Sequence, residues 1–177
     1  MYNYPFIRLI RAYISSLFSE KVTVKDKTAI AMRCSIGDID PYWEMNNGRY
    51  QQLADIGRFN HGFRTGFFKK ALKNKISFTV AGTVTKYRYR IPFGKKFTMT
   101  TKVIYVDEKW TYYYHEFIYN DRITSTILAR TGMVKNGKLV RSKEASKILN
   151  LNIPKVELPL WVADWIKSDE SNPAFVN

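Results

Sequence analysis

Gly37-Asp38-Ile39-Asp40-Pro41-Tyr42-Trp43-Glu44-Met45-Asn46-Asn47-Gly48-Arg49-Tyr50 joins an acidic loop to the start of a helical pattern. Asp38, Asp40 and Glu44 precede two asparagines and a glycine. Asn46 and Asn47 are of the residue type that caps helix starts. A helix start leaves backbone N–H groups without intrahelical acceptors, at the positive end of the helix dipole. A carboxylate held beside such donors can serve as base or nucleophile while the donors stabilise an oxyanion. The plainer alternative for Asp40, placed before Pro41, is an Asx-turn.

Downstream, residues 47–72 read as one long helix. Tyr50, Leu53, Ala54 and Gly57 share one side, and Ile56, Phe59, Phe63 and Phe67 occupy another. The polar stripe of Gln51, Asp55, Arg58 and Gly62 is narrow, so this helix is expected to be buried. Gly57 and Gly62 weaken it in isolation but admit a neighbouring backbone. Asp55 and Arg58, three residues apart, read as an ion pair. His61 and His115 read as packed or surface residues, not as bases.

Residues 27–35 read as a strand that carries the lone Cys34 as a small buried apolar residue. After residue 74 the period changes from helix to strand. Segments 77–91, 97–106, 111–119 and 123–134 alternate, with turn signals at Asp107-Glu108, Asn120-Asp121 and Asn136-Gly137. Consecutive antiparallel strands are expected. In the first of them Phe78, Val80 and Val84 share a face that continues as Lys86, Arg88 and Arg90. Either Gly82 marks a bulge or the strand outruns the helix it covers. One buried helix plus these strands gives an α+β fold in which a sheet wraps a helix. The tail reads as a short helix, 143–149, a Pro-containing connector and an aromatic amphipathic piece, 158–166.

With 177 residues and 45% apolar composition the chain can bury one sizeable core. A single cysteine allows no intramolecular disulfide and suits a reducing compartment. No metal-ligand cluster, no Ser-His-Asp or Cys-His spacing and no P-loop is present; Gly94-Lys95-Lys96 lacks the P-loop pattern. The net charge of +14 calls for an anionic partner: nucleic acid, an anionic membrane, an acidic carrier protein or a phosphorylated cofactor such as coenzyme A. Nucleic acid ranks lowest, because the basic residues are dispersed and no recognition motif accompanies them. Residues 4–18 read as an amphipathic helix with Phe6, Ile10, Tyr13, Ile14 and Leu17 on one side and Arg8, Arg11 and Ser15 on the other. It is shorter than the roughly 20 apolar residues of a membrane span and makes a poor signal peptide. Its apolar face is expected to pack on the protein's own dimer, with an anionic membrane surface as the alternative.

The acidic loop and the order of elements resemble the hotdog-fold acyl thioesterases, including the 4-hydroxybenzoyl-CoA and plant acyl-carrier-protein types. Asp38, Asp40, Met45, Asn46, Asn47 and Tyr50 match the family motif, and Tyr89-Arg90-Ile91-Pro92-Phe93-Gly94 resembles its strand followed by a proline and a glycine turn. The resemblance covers residues 27–138. It implies a hotdog fold: an antiparallel sheet wrapped around one long central helix, with extra N- and C-terminal helices. The division expected is 1–20, 21–144 and 145–177. It further implies hydrolysis of acyl-CoA or acyl-carrier-protein thioesters, with Asp40 as general base or nucleophile. The oxyanion donors would be the N–H groups of Asn47 or Gly48, with Glu44 and Asn46 completing the catalytic set. Tyr50, Lys86, Arg88 and Arg90 are the substrate-binding candidates. The basic three would face coenzyme A phosphates or a carrier protein, and charge protection of a strand edge stays equally open. Several relatives carry a histidine where this chain has Glu44, which keeps open a non-catalytic acyl- or lipid-binding protein. No cofactor and no metal are expected. A homodimer or dimer of dimers with sheets paired edge to edge is expected, in the cytoplasm or peripheral to the inner face of a membrane.

Overall fold

The computed structural model describes residues 4–152 and 156–172. In chain order the elements are α1 (Phe6–Phe18), β1 (Thr28–Arg33), α2 (Asn47–Arg64), α3 (Phe67–Lys73), β2 (Ile76–Tyr87), β3 (Lys96–Val106), β4 (Trp110–Tyr119), β5 (Arg122–Lys135), β6 (Lys138–Val140), α4 (Ser142–Leu149) and α5 (Leu160–Glu170). All strands lie in one antiparallel sheet of order β1-β3-β4-β5-β2, with β6 paired to the end of β5. β3, β4 and β5 form the expected run of consecutive strands. β2 does not join it in sequence order: it lies at the far edge beside β5, and β1 takes the other edge beside β3.

The turns follow their residue types. Asn120 and Asp121 both have positive φ, as do Asn136 and Gly137, so each pair closes a tight hairpin. The second hairpin adds β6, a short strand absent from the sequence reading. The register of β2 against β5 shifts between Val80 and Gly82, which settles the change of face along β2 as a bulge.

The single helix expected over 47–72 is two. The α2 helix ends at the Thr65 cap, and Gly66 follows with φ of 71°. The Gly66 N–H bonds back to the Phe63 carbonyl at 3.2 Å, a glycine stop signal, after which α3 starts in a new direction.

The alternation along β4 and β5 splits the interior into layers. Inward from the concave face, Met99, Phe117 and Ile127 meet Tyr50, Leu53 and Ala54 of α2 in the main core. Outward, Tyr112 and Leu128 meet Val162 and Trp165 of α5. Arg130 points the same way, pairs with Asp169, and lies over the rings of Trp110 and Trp165 at 5.4 and 5.3 Å. A third cluster joins α3, α4 and the end of the sheet through Ala71, Ile76, Met133, Ala145 and Leu149. The fourth layer is α1, laid on α2 on the side away from the sheet. The apolar circumference of α2 is thus explained: it is covered on both sides. Gly57 is needed there, since a Cβ would stand 2.4 Å from Thr101 Oγ1 and 2.8 Å from Met99 Cε.

Against its own chain, α1 packs through small residues. It buries Ala12 and Ser16 and leaves its large apolar residues outward.

Candidate active site

Between β1 and α2 the chain makes one 3-10 turn, Ile36–Asp38, then a small hairpin in which Ile39 and Met45 pair as an isolated antiparallel bridge. Asp40 and Glu44 stand opposite each other across it, joined by the Asp40 N–H to Glu44 carbonyl bond at 2.9 Å. Asp40 Oδ1 accepts the Tyr42 N–H at 2.9 Å, the Asx-turn its position before Pro41 suggests. Its Oδ2 makes no hydrogen bond among the described residues. The hairpin is pinned to the segment after β2 by the Met45 N–H to Ile91 carbonyl and Phe93 N–H to Trp43 carbonyl bonds, both 2.9 Å. Cross-strand neighbours stand with Cβ atoms about 5 Å apart, so the Asp40 and Glu44 carboxylates share one end of the loop, both half-buried.

The hairpin leads directly into α2. Asn46 caps the helix, its side-chain oxygen accepting the Gly48 N–H at 2.9 Å. That bond engages one of the two expected oxyanion donors and leaves the Asn47 N–H at the open helix start. The Asn47 carbonyl accepts the Tyr87 hydroxyl at 2.9 Å, tying the end of β2 to the same place.

Asp38, two residues before Asp40, is buried at 3% exposure and has a different job. One oxygen accepts the Ser35 N–H and hydroxyl, both at 2.7 Å, and pairs with Arg8 of α1. The other lies 3.3 Å from Arg49 Nε of α2. Arg8 also donates to the Arg33 carbonyl and Ser35 Oγ, each at 2.9 Å. Two arginines from two helices therefore clamp the acidic loop through one carboxylate. The sequence reading had no role for Asp38 or Arg49 and placed Arg8 on the open side of its helix. Nothing local marks a partner 30 residues away.

The substrate-binding candidates separate. Lys86, Arg88 and Arg90 are exposed at the end of β2 and just beyond it. Arg90 reaches Glu44 at 3.8 Å with its side chain 72% exposed, a weak pairing. Tyr50 is 2% exposed, with its ring packed edge-on against Tyr87 and Phe117, and burial pushes its hydroxyl pKa up to about 12. It belongs to the core under the site.

Two hollows flank α2. A polar one of about 300 Å³ lies at the helix start, lined by Gly37, Ile39, Asn46, Gly48, Arg49 and Gln52. An apolar one of about 270 Å³ lies between the second half of α2, α3, α4 and the sheet, with Phe59, Phe67, Phe68, Phe78, Met133 and Leu149 in its wall. Asp40 lines neither. The apolar cavity starts at Asp55, about 12 Å along the helix from Asn47 at 1.5 Å per residue.

Polar groups gather where that cavity meets the core. Asp55 pairs with Arg58, as their spacing suggests, and burial raises the Asp55 pKa in spite of the guanidinium. Arg58 also reaches His115 Nε2 at 3.2 Å, and His115 Nδ1 lies 2.9 Å from Thr101 Oγ1. Arginine can only donate, so Nε2 accepts and Nδ1 carries the proton. Burial, then the Arg58 charge, holds the His115 pKa well below the usual histidine value. His61 is buried too, with Nε2 3.2 Å from the Asp26 carbonyl. Both histidines are packed and neutral. Cys34 is buried, and burial followed by the nearby Asp38 charge raises its thiol to about 11. Among the described residues no group of three or more His, Cys, Asp or Glu gathers to hold a metal ion.

A curved antiparallel sheet around one helix, with an acidic hairpin delivered to that helix's N-terminus, defines the hotdog class. The family model described as the thioesterase-like superfamily matches residues 34–166, and the chain belongs to that superfamily. The chain is 27% identical over 137 residues to Protein THEM6 of Xenopus laevis, which covers 76% of this chain and 65% of that protein. It thus spans less than two thirds of that relative's length. Among solved structures, a Staphylococcus aureus protein in complex with CoA has a TM-score of 0.58 at 18% identity, covering 80% of this chain and 94% of that one. A 4-hydroxybenzoyl CoA thioesterase complexed with 4-hydroxybenzoyl CoA has a TM-score of 0.62 at 10% identity, covering 70% and 98%.

Proposed function

We propose that the chain hydrolyses acyl thioesters at the start of α2. The observation that carries this reading is the half-buried Asp40, whose Oδ2 is uncommitted, in a rigid hairpin that runs straight into the helix start at Asn47. Membership of the superfamily supports the reaction class. With Asp40 as general base, it takes a proton from water while the water oxygen bonds to the thioester carbon. The oxyanion forms toward the Asn47 N–H, then collapses to a carboxylic acid and a thiolate that takes up the proton. With Asp40 as nucleophile, a mixed anhydride and a thiolate form first; water then cleaves the anhydride to the Asp40 carboxylate and a carboxylic acid, and the thiolate takes up the water's second proton. Glu44 orients the water or the substrate from across the hairpin.

Lys86, Arg88 and Arg90 suit the phosphates of coenzyme A or an acidic carrier surface. The solved relative in complex with CoA makes acyl-CoA the first substrate class to test. The apolar cavity beside Phe59, Phe68 and Phe78 is the place for an acyl chain. Among the described residues no strand pairs with the outer edge of β2, which runs 12 residues and exposes Phe78, Val80 and Val84, so a homodimer joined along β2 completes the assembly.

A second reading, acyl binding without turnover, is favoured by Glu44 standing where several hotdog thioesterases have histidine. Turnover and binding on a panel of acyl-CoA chain lengths separate the two. Hydrolysis lost by two or more orders of magnitude in Asp40→Asn supports catalysis. Tight acyl-CoA binding with no hydrolysis by the unmodified chain moves the conclusion to the second reading.

A further inference from the structure

The α1 helix turns its apolar side to solvent. Ile7 is 70% exposed, Ile10 58%, Ile14 49%, Leu17 56% and Phe18 87%. At about 100° per residue these five project within an arc of about 100°, opposite the buried Ala12 and Ser16. The orientation is held from beneath. Arg8 is clamped to Asp38, Ser35 and the Arg33 carbonyl, and the Ala12 carbonyl accepts Asn60 Nδ2 at 3.4 Å. A contiguous apolar face kept outward on a folded surface marks an interaction site.

The charges around it are predominantly basic. The helix contains no acidic residue, and Arg11 stands exposed at the margin of the apolar arc. Lys21, Lys25 and Lys27 follow, all exposed, against Glu20 and Asp26. The whole chain carries +14. We propose that α1 is an in-plane anchor for an anionic lipid bilayer. The residues Ile7, Ile10, Ile14, Leu17 and Phe18 enter the headgroup boundary, and Arg11, Lys21 and Lys25 meet lipid phosphates. Charge at this face separates a bilayer from a second copy of the chain: a copy seated here would set Arg11, Lys21 and Lys25 against basic residues of the same kind, whereas an anionic surface neutralises them. A second copy also has the unpaired β2 edge open to it. The face lies in the membrane plane and does not cross, since no helix among the described residues is long and apolar enough to span.

The test is flotation of the full chain with phosphatidylcholine vesicles containing about one-third phosphatidylserine, and with phosphatidylcholine alone. The expected result is binding to the anionic vesicles that falls roughly tenfold without phosphatidylserine or in high salt. Ile7→Ser, Ile10→Ser and Ile14→Ser together abolish binding while the melting temperature stays at that of the unmodified chain, because these side chains face solvent. Arg11→Glu weakens binding with the apolar face intact. The proposal is overturned if the unmodified chain stays free of anionic vesicles at low salt, or if the triple variant floats as well as the parent. It is also overturned if the triple variant melts far lower, which makes the face part of the core. Loss of self-association in that variant without any vesicle binding by the parent overturns it in favour of a second copy. Turnover on soluble acyl-CoA is unchanged in each variant that keeps the parent's fold, so failure here is separable from failure of the thioesterase reading.

Discussion

Asp38 and Asp40 are two residues apart and should fail in opposite ways. Asp38 is buried between Arg8 and Arg49, whose side chains are only 18% and 10% exposed. Asp38→Ala leaves two guanidinium groups facing each other with their shared counter-charge gone, and strips Ser35 of its acceptor. Breaking a buried ion pair by removing one partner costs about 3–5 kcal/mol. For a domain of this size each kcal/mol shifts the melting temperature by about 2–4 °C, so a drop of roughly 6–20 °C is expected. Asp40 offers one hydrogen bond, to the Tyr42 N–H, in a half-buried turn. Asp40→Asn retains an acceptor there and should cost under about 1 kcal/mol, with thioester hydrolysis nearly lost. Thermal unfolding followed by circular dichroism, with turnover measured on the same samples below the transition, reads both. Arg8→Ala combined with Asp38→Ala should be less destabilising than the sum of the two by about 0.5–3 kcal/mol. An Asp38→Ala variant melting within a degree or two of the parent refutes the clamp. Full turnover in Asp40→Asn removes that residue from the mechanism.

Neutralising Lys86, Arg88 and Arg90 together should raise KM for acyl-CoA by roughly tenfold with kcat nearly constant, because phosphate contacts hold ground state and transition state alike; an unchanged KM assigns them to edge protection. Stability should fall with acid. His115 has a folded-state pKa well below its unfolded value near 6.5, so the unfolded chain binds the extra proton, and stability is full above pH 6.5 and lost below it. That one residue contributes a loss on the order of 1 kcal/mol at pH 5.5. Urea midpoints at pH 7 and 5.5 should show that difference, and His115→Gln should shrink it; equal slopes would contradict the assignment. Gly57→Ala should cost about 1–3 kcal/mol by overpacking against Thr101 and Met99, and an unaltered urea midpoint would show that the contact relaxes.

The parts of the fold legible in the sequence were those set by short-range rules. The hairpins at Asn120-Asp121 and Asn136-Gly137 follow from residues that tolerate positive φ. Burial of α2 follows from its apolar circumference, and the break in β2 from Gly82. Gly66 was equally visible as a helix stop, but the apolar spacing of Phe63 and Phe67 across it reads as continuous helix. The position of β2 beside β5 was not legible: no local feature distinguishes a strand that pairs with its successor from one that crosses to the far edge. At the loop, the Asx-turn at Asp40 and the cap at Asn46 follow from residue type, and cap chemistry also decides that the Gly48 N–H is engaged. The Arg8–Asp38–Arg49 clamp depends on two contacts across different elements, beyond the reach of spacing.

That clamp also sets which face of α1 lies on its own chain. An amphipathic pattern identifies two faces but not which one is covered, and the usual assumption assigns the apolar face to the core. Here the choice is made by one side chain. Arg8 shares its side of α1 with Ala12 and Ser16 and reaches a carboxylate with 4% side-chain exposure. Rolling the helix to bury Ile7, Ile10 and Ile14 would draw Arg8 away and leave Asp38 to Arg49 alone, at a cost of the same order as the pair itself. Small residues at Ala12 and Ser16 then let α1 lie close on α2, where bulky ones would hold it off. The loop that carries Asp40 and the outward set of α1 are therefore two consequences of a single buried ion pair.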